Sequence, residues 1–287
     1  MTILVTGATG FVGRNVVEQL LAAGESVRAL TRDPARAALP PGADVVRGDL
    51  AMPETLAGAL DGVERMYLFP VDKGAEEVVA RAKAAGVRRI VDLSAASVSA
   101  GLHTSPVESV VEASGLEWTH VRPCGFMANM LQIWAPAVRA SREVRYPFAD
   151  EPMNLIHEAD IAAVAVAALL EDGHHGKAYT LTGPGLVTVR EQVAAIEAAL
   201  GERVRYTEVT REEARVIMKA QGGFAAESAD LMLGFVEYGG AAAAGEDGYA
   251  DQDWSALMRT WPDLQEVLGR PARSYEEWAR DHVADFR

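Results

Sequence analysis

Short apolar, β-branched runs alternate with helical periodicity along the first 120 residues. Residues 2–6 (TILVT) read as a buried strand that ends at Gly7. Val12, Val16, Val17, Leu20 and Leu21 then recur at helical spacing up to a stop at Gly24. Strands follow at Ser26–Leu30, Val45–Val46, Arg65–Phe69, Arg89–Leu93 and Glu117–Val121, with helices predicted near Pro53–Leu60, Ala75–Ala85 and Pro106–Ala113 between them. This rhythm predicts an α/β fold of the Rossmann type, a parallel sheet with helices on both faces. After Pro123 the rhythm changes. Residues 124–150 read as loop-rich, 158–171 as an amphipathic helix, Tyr179–Thr182 as a short strand, and 188–200 as a helix capped by Thr188 with Glu191 at its third position. Residues 211–235 predict two helices broken at Gly222–Gly223, 239–248 a Gly/Ala-rich hinge, and the last residues a short amphipathic helix. The expected division is a dinucleotide-binding part, 1–150, and a smaller C-terminal substrate-binding and lid region, 151–287. The two are interwoven enough to count as one domain.

The first turn carries the most specific chemistry. Gly7, Gly10 and Gly13 stand in a G-x-x-G-x-x-G spacing directly after a strand and at the start of a helix. The early glycines let the backbone turn tightly and approach a pyrophosphate. The last lets helix pack on strand, and the helix N-terminus stabilises the negative charge. The second strand ends at Thr31-Arg32-Asp33-Pro34. A fold selective for NAD ends this strand with an acid for the ribose 2′-hydroxyl, whereas Arg32, with Arg36 in reach on the next turn, suits the 2′-phosphate of NADP(H). Asp33 fits a helix cap better than a ribose ligand. Asp49-Leu50, after the third strand, falls where such folds meet the adenine ring; Asp49 could equally cap a helix.

The 287 residues, 49% hydrophobic and 24% charged, are ordinary for a globular chain. A formal net charge of −14 argues against a general nucleic-acid binder. The lone Cys124 excludes an intrachain disulfide and fits a reducing cytoplasm. No signal peptide and no apolar run of membrane-spanning length is evident, so a cytoplasmic protein without membrane contact, monomer or homodimer, is expected. No metal site is expected.

Together, GATGFVG (7–13), LTRDP (30–34), GDL (48–50), LFP (68–70), LSA (93–95) and SGLEWTHVRPCGFMANML (114–131) resemble the NmrA-like group of atypical short-chain dehydrogenase/reductases along the whole chain. The resemblance implies that Gly7, Thr9, Gly10, Phe11, Val12, Gly13, Arg32, Asp49 and Leu50 hold the dinucleotide. It also implies that Phe69, Pro70, Ser94, Pro123 and Cys124 lie near its nicotinamide end.

Ordinary reductases of this kind use a Tyr-x-x-x-Lys pair to protonate the reduced carbonyl. Residues 96–113 contain neither a tyrosine nor a lysine, and no tyrosine in the chain is followed by lysine four residues on. Ser94 survives as a candidate substrate contact, or as a strand-end cap, and His103 as a candidate proton handler, or as a surface loop histidine. Hydride transfer without a dedicated acid favours a conjugated acceptor whose reduced form is an enolate or phenolate. The expected activity is NADPH-dependent reduction of a bulky conjugated or polycyclic aromatic carbonyl. It resembles that of the ketoreductases, also lacking the tyrosine, that tailor aromatic polyketide antibiotics. A quinone or azo reductase, and an NADP(H)-binding redox sensor with a protein partner, are the alternatives. Met127, Trp134, Phe148 and Phe224 are candidate substrate contacts, although Met and aromatic residues suit a core equally well. Cys124 fits packing rather than nucleophilic attack, and His174-His175 fit a surface turn.

Overall fold

The computed structural model describes residues 1–71, 73–236 and 254–287. The predicted Gly/Ala-rich hinge lies outside them. Strands β1 (Thr2–Val5), β2 (Ser26–Thr31), β3 (Asp44–Arg47), β4 (Val63–Leu68), β5 (Arg89–Leu93) and β6 (Glu117–Pro123) alternate with helices α1 (Phe11–Ala22), α2 (Ala57–Leu60), α3 (Ala75–Ala84), α4 (Ala96–Ser99) and α5 (Pro106–Ala113). The second half adds β7 (Gly125–Phe126), α6 (Asn129–Ile133), α7 (Ala135–Ser141), β8 (Glu143–Tyr146), β9 (Pro152–Ile156), α8 (Glu158–Leu170), β10 (Lys177–Leu181), β11 (Leu186–Thr188) and α9 (Val189–Leu200). Then come β12 (Arg205–Glu208), α10 (Arg211–Gln221), α11 (Gly223–Met232), α12 (Asp263–Leu268) and α13 (Tyr275–Asp281).

Seven strands form one parallel sheet in the order β10-β6-β5-β4-β1-β2-β3. Chain direction through the sheet reverses between β1 and β4, and such a switch point opens a crevice at the C-terminal strand ends. One face of the sheet packs against α1 and α8 around Val5, Val16, Tyr67, Val91 and Ile161. The other packs α2, α3 and α5 around Leu4, Leu60, Met66, Val78 and Val111. A separate apolar core joins α6, α7, α9, α10, α11 and α13 around Trp134, Ile196, Met218 and Trp278. Strand β10 and helix α8 return from the second half to the first layer, so chain after residue 150 completes the sheet and covers one of its faces.

Three local readings need correction. Residues 124–150 are not mainly loop: they form α6, α7 and two strands, and Pro136 sits in the first turn of α7, where its missing N–H costs nothing. Helix α8 is not amphipathic. Ile161, Val164, Ala165 and Ala168 are buried together with Glu158 and Asp160, because α8 is enclosed by α1, the sheet and α12. His174 is buried rather than at the surface, with its Nδ1 2.7 Å from the Tyr179 hydroxyl, while the His175 Nδ1 accepts from the Trp118 N–H at 3.1 Å. The break at Gly222–Gly223 is present, both residues having positive φ, and the Thr188–Glu191 capping box forms as expected.

Candidate active site

The crevice starts where β1 ends. Thr6, fully buried, donates from its hydroxyl to the Tyr67 carbonyl at 3.0 Å and accepts from the Phe69 N–H at 2.7 Å. This pins the ends of β1 and β4 and lays the Phe69 ring over the turn. Gly7 has φ +59°, and a Cβ there would stand 2.8 Å from the ring. A Cβ on Gly13 would stand 2.1 Å from the Gly7 carbonyl oxygen. The three glycines therefore do what their spacing implied: Gly7 and Gly10 form the turn, closed by Gly10 N–H to Gly7 C=O at 3.0 Å, and Gly13 admits the helix. Helix α1 has no side-chain cap and no acid in its first turn, which leaves its positive end open to an anion.

A cavity of about 560 Å³ runs from this turn along the strand ends. Gly7, Thr9, Gly10, Arg32, Asp49, Leu50, Phe69 and Pro70 line it, as the sequence implied, together with Leu30, Thr31, Gly48, Ala51, Val71 and Lys73. Arg32 forms no ion pair among the described residues, so its guanidinium is available to an anion. Asp49 faces the cavity, and it is not a helix cap: its Oδ1 accepts from the Ala51 N–H at 3.0 Å within a turn, and the next helical turn, Pro53–Leu56, follows Met52 without a side-chain cap. Asp33 precedes a single 3-10 turn, Pro34–Arg36, and makes no capping hydrogen bond. Arg36 is exposed on that turn and is not part of the cavity wall; nor are Phe11, which is half-buried, and Val12, which packs into the core on the α1 side. Lys73 was missed. The signal for it was a lysine, rare in this chain, directly beyond β4.

Ser94 and Pro123 stand at the ends of β5 and β6. The register Tyr67–Val91–Thr119 aligns these strand ends with Phe69. At about 4.8 Å per strand, Ser94 lies one strand beyond Phe69 and two beyond Gly7, on the side away from Arg32. A dinucleotide with its 2′-phosphate at Arg32 and its pyrophosphate at the α1 N-terminus would extend its nicotinamide end toward Ser94. Cys124 packs with its Sγ 3.5 Å from the Asn154 Oδ1, and burial pushes its thiol up to about 12, which excludes a thiolate nucleophile at neutral pH.

The ionisable group against Ser94 is Glu108, on α5. Burial works to raise the Glu108 carboxyl, but the hydrogen bonds from Arg122 outweigh it, with the Ser94 hydroxyl close by, and hold the group below the usual range. His103 is half-buried on the loop between α4 and α5. Tyr67 does not replace the missing tyrosine. It belongs to the core on the α1 side, and burial drives its phenol far above the ordinary value.

The proposed substrate side divides. Met127 and Trp134, at 1% and 3% exposure, belong to the C-terminal core and offer a ligand almost no surface, which corrects their assignment as substrate contacts. Met127 follows β7 with its N–H bonded to the Ile156 carbonyl, and Trp134 sits edge-on to Tyr146. Phe148 and Phe224 are half-buried and pack against the same core, each with part of its ring left uncovered. Phe148 also has φ +65°, a conformation costly for a bulky residue and one found where a site dictates the backbone.

Comparison with known proteins agrees with this geometry. The model of the NmrA-like family matches residues 1–268. A (4-alkanoyl-5-oxo-2,5-dihydrofuran-3-yl)methyl phosphate reductase of Streptomyces griseus is 37% identical, over 99% of each chain. An NAD(P)H azoreductase of Xenophilus azovorans is 36% identical, also over 99% of each. The structure of an Escherichia coli NADPH-dependent quinone oxidoreductase with NADPH superposes with a TM-score of 0.74 at 25% identity, covering 99% of this chain and all of that one. The crevice, with Arg32 where the 2′-phosphate would lie, fits NADP(H), and the chain is an NADPH-dependent oxidoreductase. No helix among the described residues is long and apolar enough to cross a membrane. By its glycine turn, its sheet order and the full-length match of its sequence, the chain belongs to the NmrA-like family.

Proposed function

We propose that this enzyme transfers hydride from NADPH to a bulky conjugated carbonyl compound, with polycyclic aromatic ketones as the leading class. The observation behind this is the pairing of a complete cofactor crevice with a nicotinamide end that has Ser94 but no Tyr-Lys pair. Without that acid, the transition state is lowest for acceptors that delocalise the developing charge themselves as an enolate or phenolate. NADPH binds along the crevice through the α1 N-terminus, Arg32 and Lys73 and supplies the hydride. Phe69 and the glycine turn fix its position, and Ser94 orients the acceptor oxygen. Phe148 and Phe224 are proposed contacts for the flat apolar body of the substrate.

Quinone or azo reduction is the second reading, favoured by the azoreductase at 36% identity. These acceptors share the property that the added negative charge is spread over a conjugated system. The furanone named for the Streptomyces relative also carries an alkene conjugated to carbonyl groups. The test is loss of reduced nicotinamide absorbance with a panel of polycyclic ketones, quinones, azo dyes and acyl-substituted enones. Turnover of aromatic ketones supports the first reading, and turnover confined to azo dyes or quinones selects the second. Tight NADPH binding without turnover of any member would return the chain to the sensor class.

A further inference from the structure

We propose that a buried chain of side chains beneath the crevice delivers the proton the missing tyrosine would have given, running from solvent at Glu112 through His120 and Glu108 to Ser94. This rests on the reductase reading above.

The sheet register and the helix period bring these groups together. Asp92 on β5 stands opposite His120 on β6, and Arg122 lies two residues on, on the same face. Helix α5 covers that face and presents Glu108 and Glu112, four residues apart on one side. The His120 Nδ1 lies 2.6 Å from an Asp92 oxygen, and its Nε2 3.3 Å from a Glu112 oxygen. Both ring nitrogens therefore face carboxylates, and Trp118 stacks on the ring at 4.3 Å between centroids. Ligating atoms of Asp92, Glu108 and His120 all lie within 4.8 Å of one another. Arg122 grips both Glu108 oxygens at 2.8 and 2.6 Å and reaches the Ser99 hydroxyl, which meets Thr180. Asp92 and His120 side chains are wholly buried, Glu108 is 6% exposed, and Glu112 is 49% exposed, so the chain of groups has one wet end. At the other end Ser94, half-buried just beyond β5, has its Oγ buried beside Glu108 without a hydrogen bond, and the relay requires rotation about its single side-chain bond to turn that hydroxyl toward the nicotinamide end.

Charge balance leaves a proton in this cluster. Three carboxylates, Asp92, Glu108 and Glu112, face at most two cations, His120 and Arg122. Burial raises the Asp92 carboxyl. Burial works to lower His120, but its bonds to Asp92 and Glu112 prevail and raise it. Helix α3, packed on the far side of α5, adds no competing charge: Glu77 and Arg81 pair at the surface, and the Lys83 ammonium donates to the Ser114 carbonyl.

In the proposed step the C4–H bond of NADPH breaks and its electron pair forms a C–H bond at the carbonyl carbon. NADPH is oxidised to NADP⁺ and the carbonyl is reduced to an oxyanion. That oxyanion takes the Ser94 hydroxyl proton and Ser94 recovers one from Glu108. Glu108 takes its proton from His120 through one bridging water, the two groups lying within 4.8 Å and making no direct hydrogen bond, and His120 recovers a proton from water at Glu112. One proton is consumed per hydride. A conjugated acceptor lowers the demand on this relay without removing the need for the proton.

The test uses the full-length enzyme with an aromatic ketone that the wild type turns over; absence of any wild-type turnover defeats the reductase reading and is thereby told apart from failure of the relay. Glu108→Gln should lower kcat about 100-fold while KM and NADPH affinity stay within about 3-fold, the size of a lost general acid–base path. Wild-type kcat should fall at high pH as the cluster loses its proton, and the variant should lose that dependence. Retention of wild-type kcat and pH profile by Glu108→Gln overturns the relay. Should that variant fail to fold, Glu112→Gln, at the exposed end, decides. The relay predicts a several-fold slower kcat that imidazolium or formic acid restores with saturation. Unchanged kcat, or a loss that no small acid restores, overturns it.

Discussion

Substituting Gly13 by alanine tests the physical basis of the cofactor turn. The new methyl would stand 2.1 Å from the Gly7 carbonyl oxygen, 2.8 Å from its carbon and 3.0 Å from the Ala8 Cα. All three are backbone atoms, so no side-chain rotation relieves the clash, and α1 must move more than 1 Å from the turn to reach an ordinary contact near 3.4 Å. The same carbonyl accepts from Gly10 N–H, so the shift strains the closure of the turn as well. Overpacking of this kind costs about 3 kcal/mol, at the upper end of the usual range because the neighbours are backbone. In a chain of this size that lowers Tm by about 6 °C. Moving the α1 N-terminus by an ångström also lengthens its contacts with the pyrophosphate, and NADPH affinity should fall at least about tenfold. The assay is thermal unfolding with and without NADPH, beside NADPH titration. Gly58→Ala is the control: it lies in α2 with nothing within 4 Å of the added carbon, and should be neutral or more stable by up to about 1 kcal/mol. A Gly13→Ala protein with wild-type Tm and NADPH affinity would refute the packing argument.

Further outcomes follow from the charges. Arg32→Ala should weaken NADPH about 10- to 50-fold and leave NADH nearly unchanged, because only NADPH carries the 2′-phosphate; equal losses for both cofactors would remove Arg32 from that role. Glu158 is buried at the N-terminus of α8. Burial would raise its carboxyl, but hydrogen bonds from His157 and His282 outweigh that and hold it at about 2. Its folded pKa lies below the unfolded value near 4.5. It therefore contributes about 3 kcal/mol above pH 4.5, lost progressively as pH falls from there toward 2. Urea midpoints of the wild type should drop across that window, and those of Glu158→Gln should be lower at neutral pH and fall less steeply across it. Parallel profiles would show that Glu158 is not the group responsible. The raised His282 works in the opposite sense: its share of the pair is complete below its unfolded pKa and is lost as pH rises through the folded one.

The cofactor half of the site was legible in sequence because each of its determinants is local. A strand, three glycines and a helix lie within about twenty residues, and Arg32 is found by counting to the end of β2. The relay was not legible in the same way. Glu108 and Glu112 fall in the predicted helix near Pro106–Ala113 and His120 in the predicted strand Glu117–Val121, with nothing local to join them. Only the pairing of β5 with β6, across 28 residues, puts Asp92 beside His120 and buries the two together. A signal was present nonetheless: acids at helical spacing followed by His and Arg at strand spacing place opposite charges on facing surfaces. Helices α6 and α7 escaped notice because five and seven residues are too few to establish periodicity. Met127 and Trp134 suit a flat apolar ligand and a core equally well by residue type, and sequence alone does not choose between the two. That core is assembled from α9, α10 and α13, distant in sequence.

The most direct measurement follows the hydride itself. With NADPH carrying deuterium on both C4 positions, the enzyme should convert an aromatic ketone to an alcohol with one deuterium on the former carbonyl carbon, in equal amount to the NADP⁺ formed. NADP⁺ accumulating without deuterium in the product, or NADPH bound and never oxidised by any conjugated acceptor, would contradict hydride transfer from this crevice.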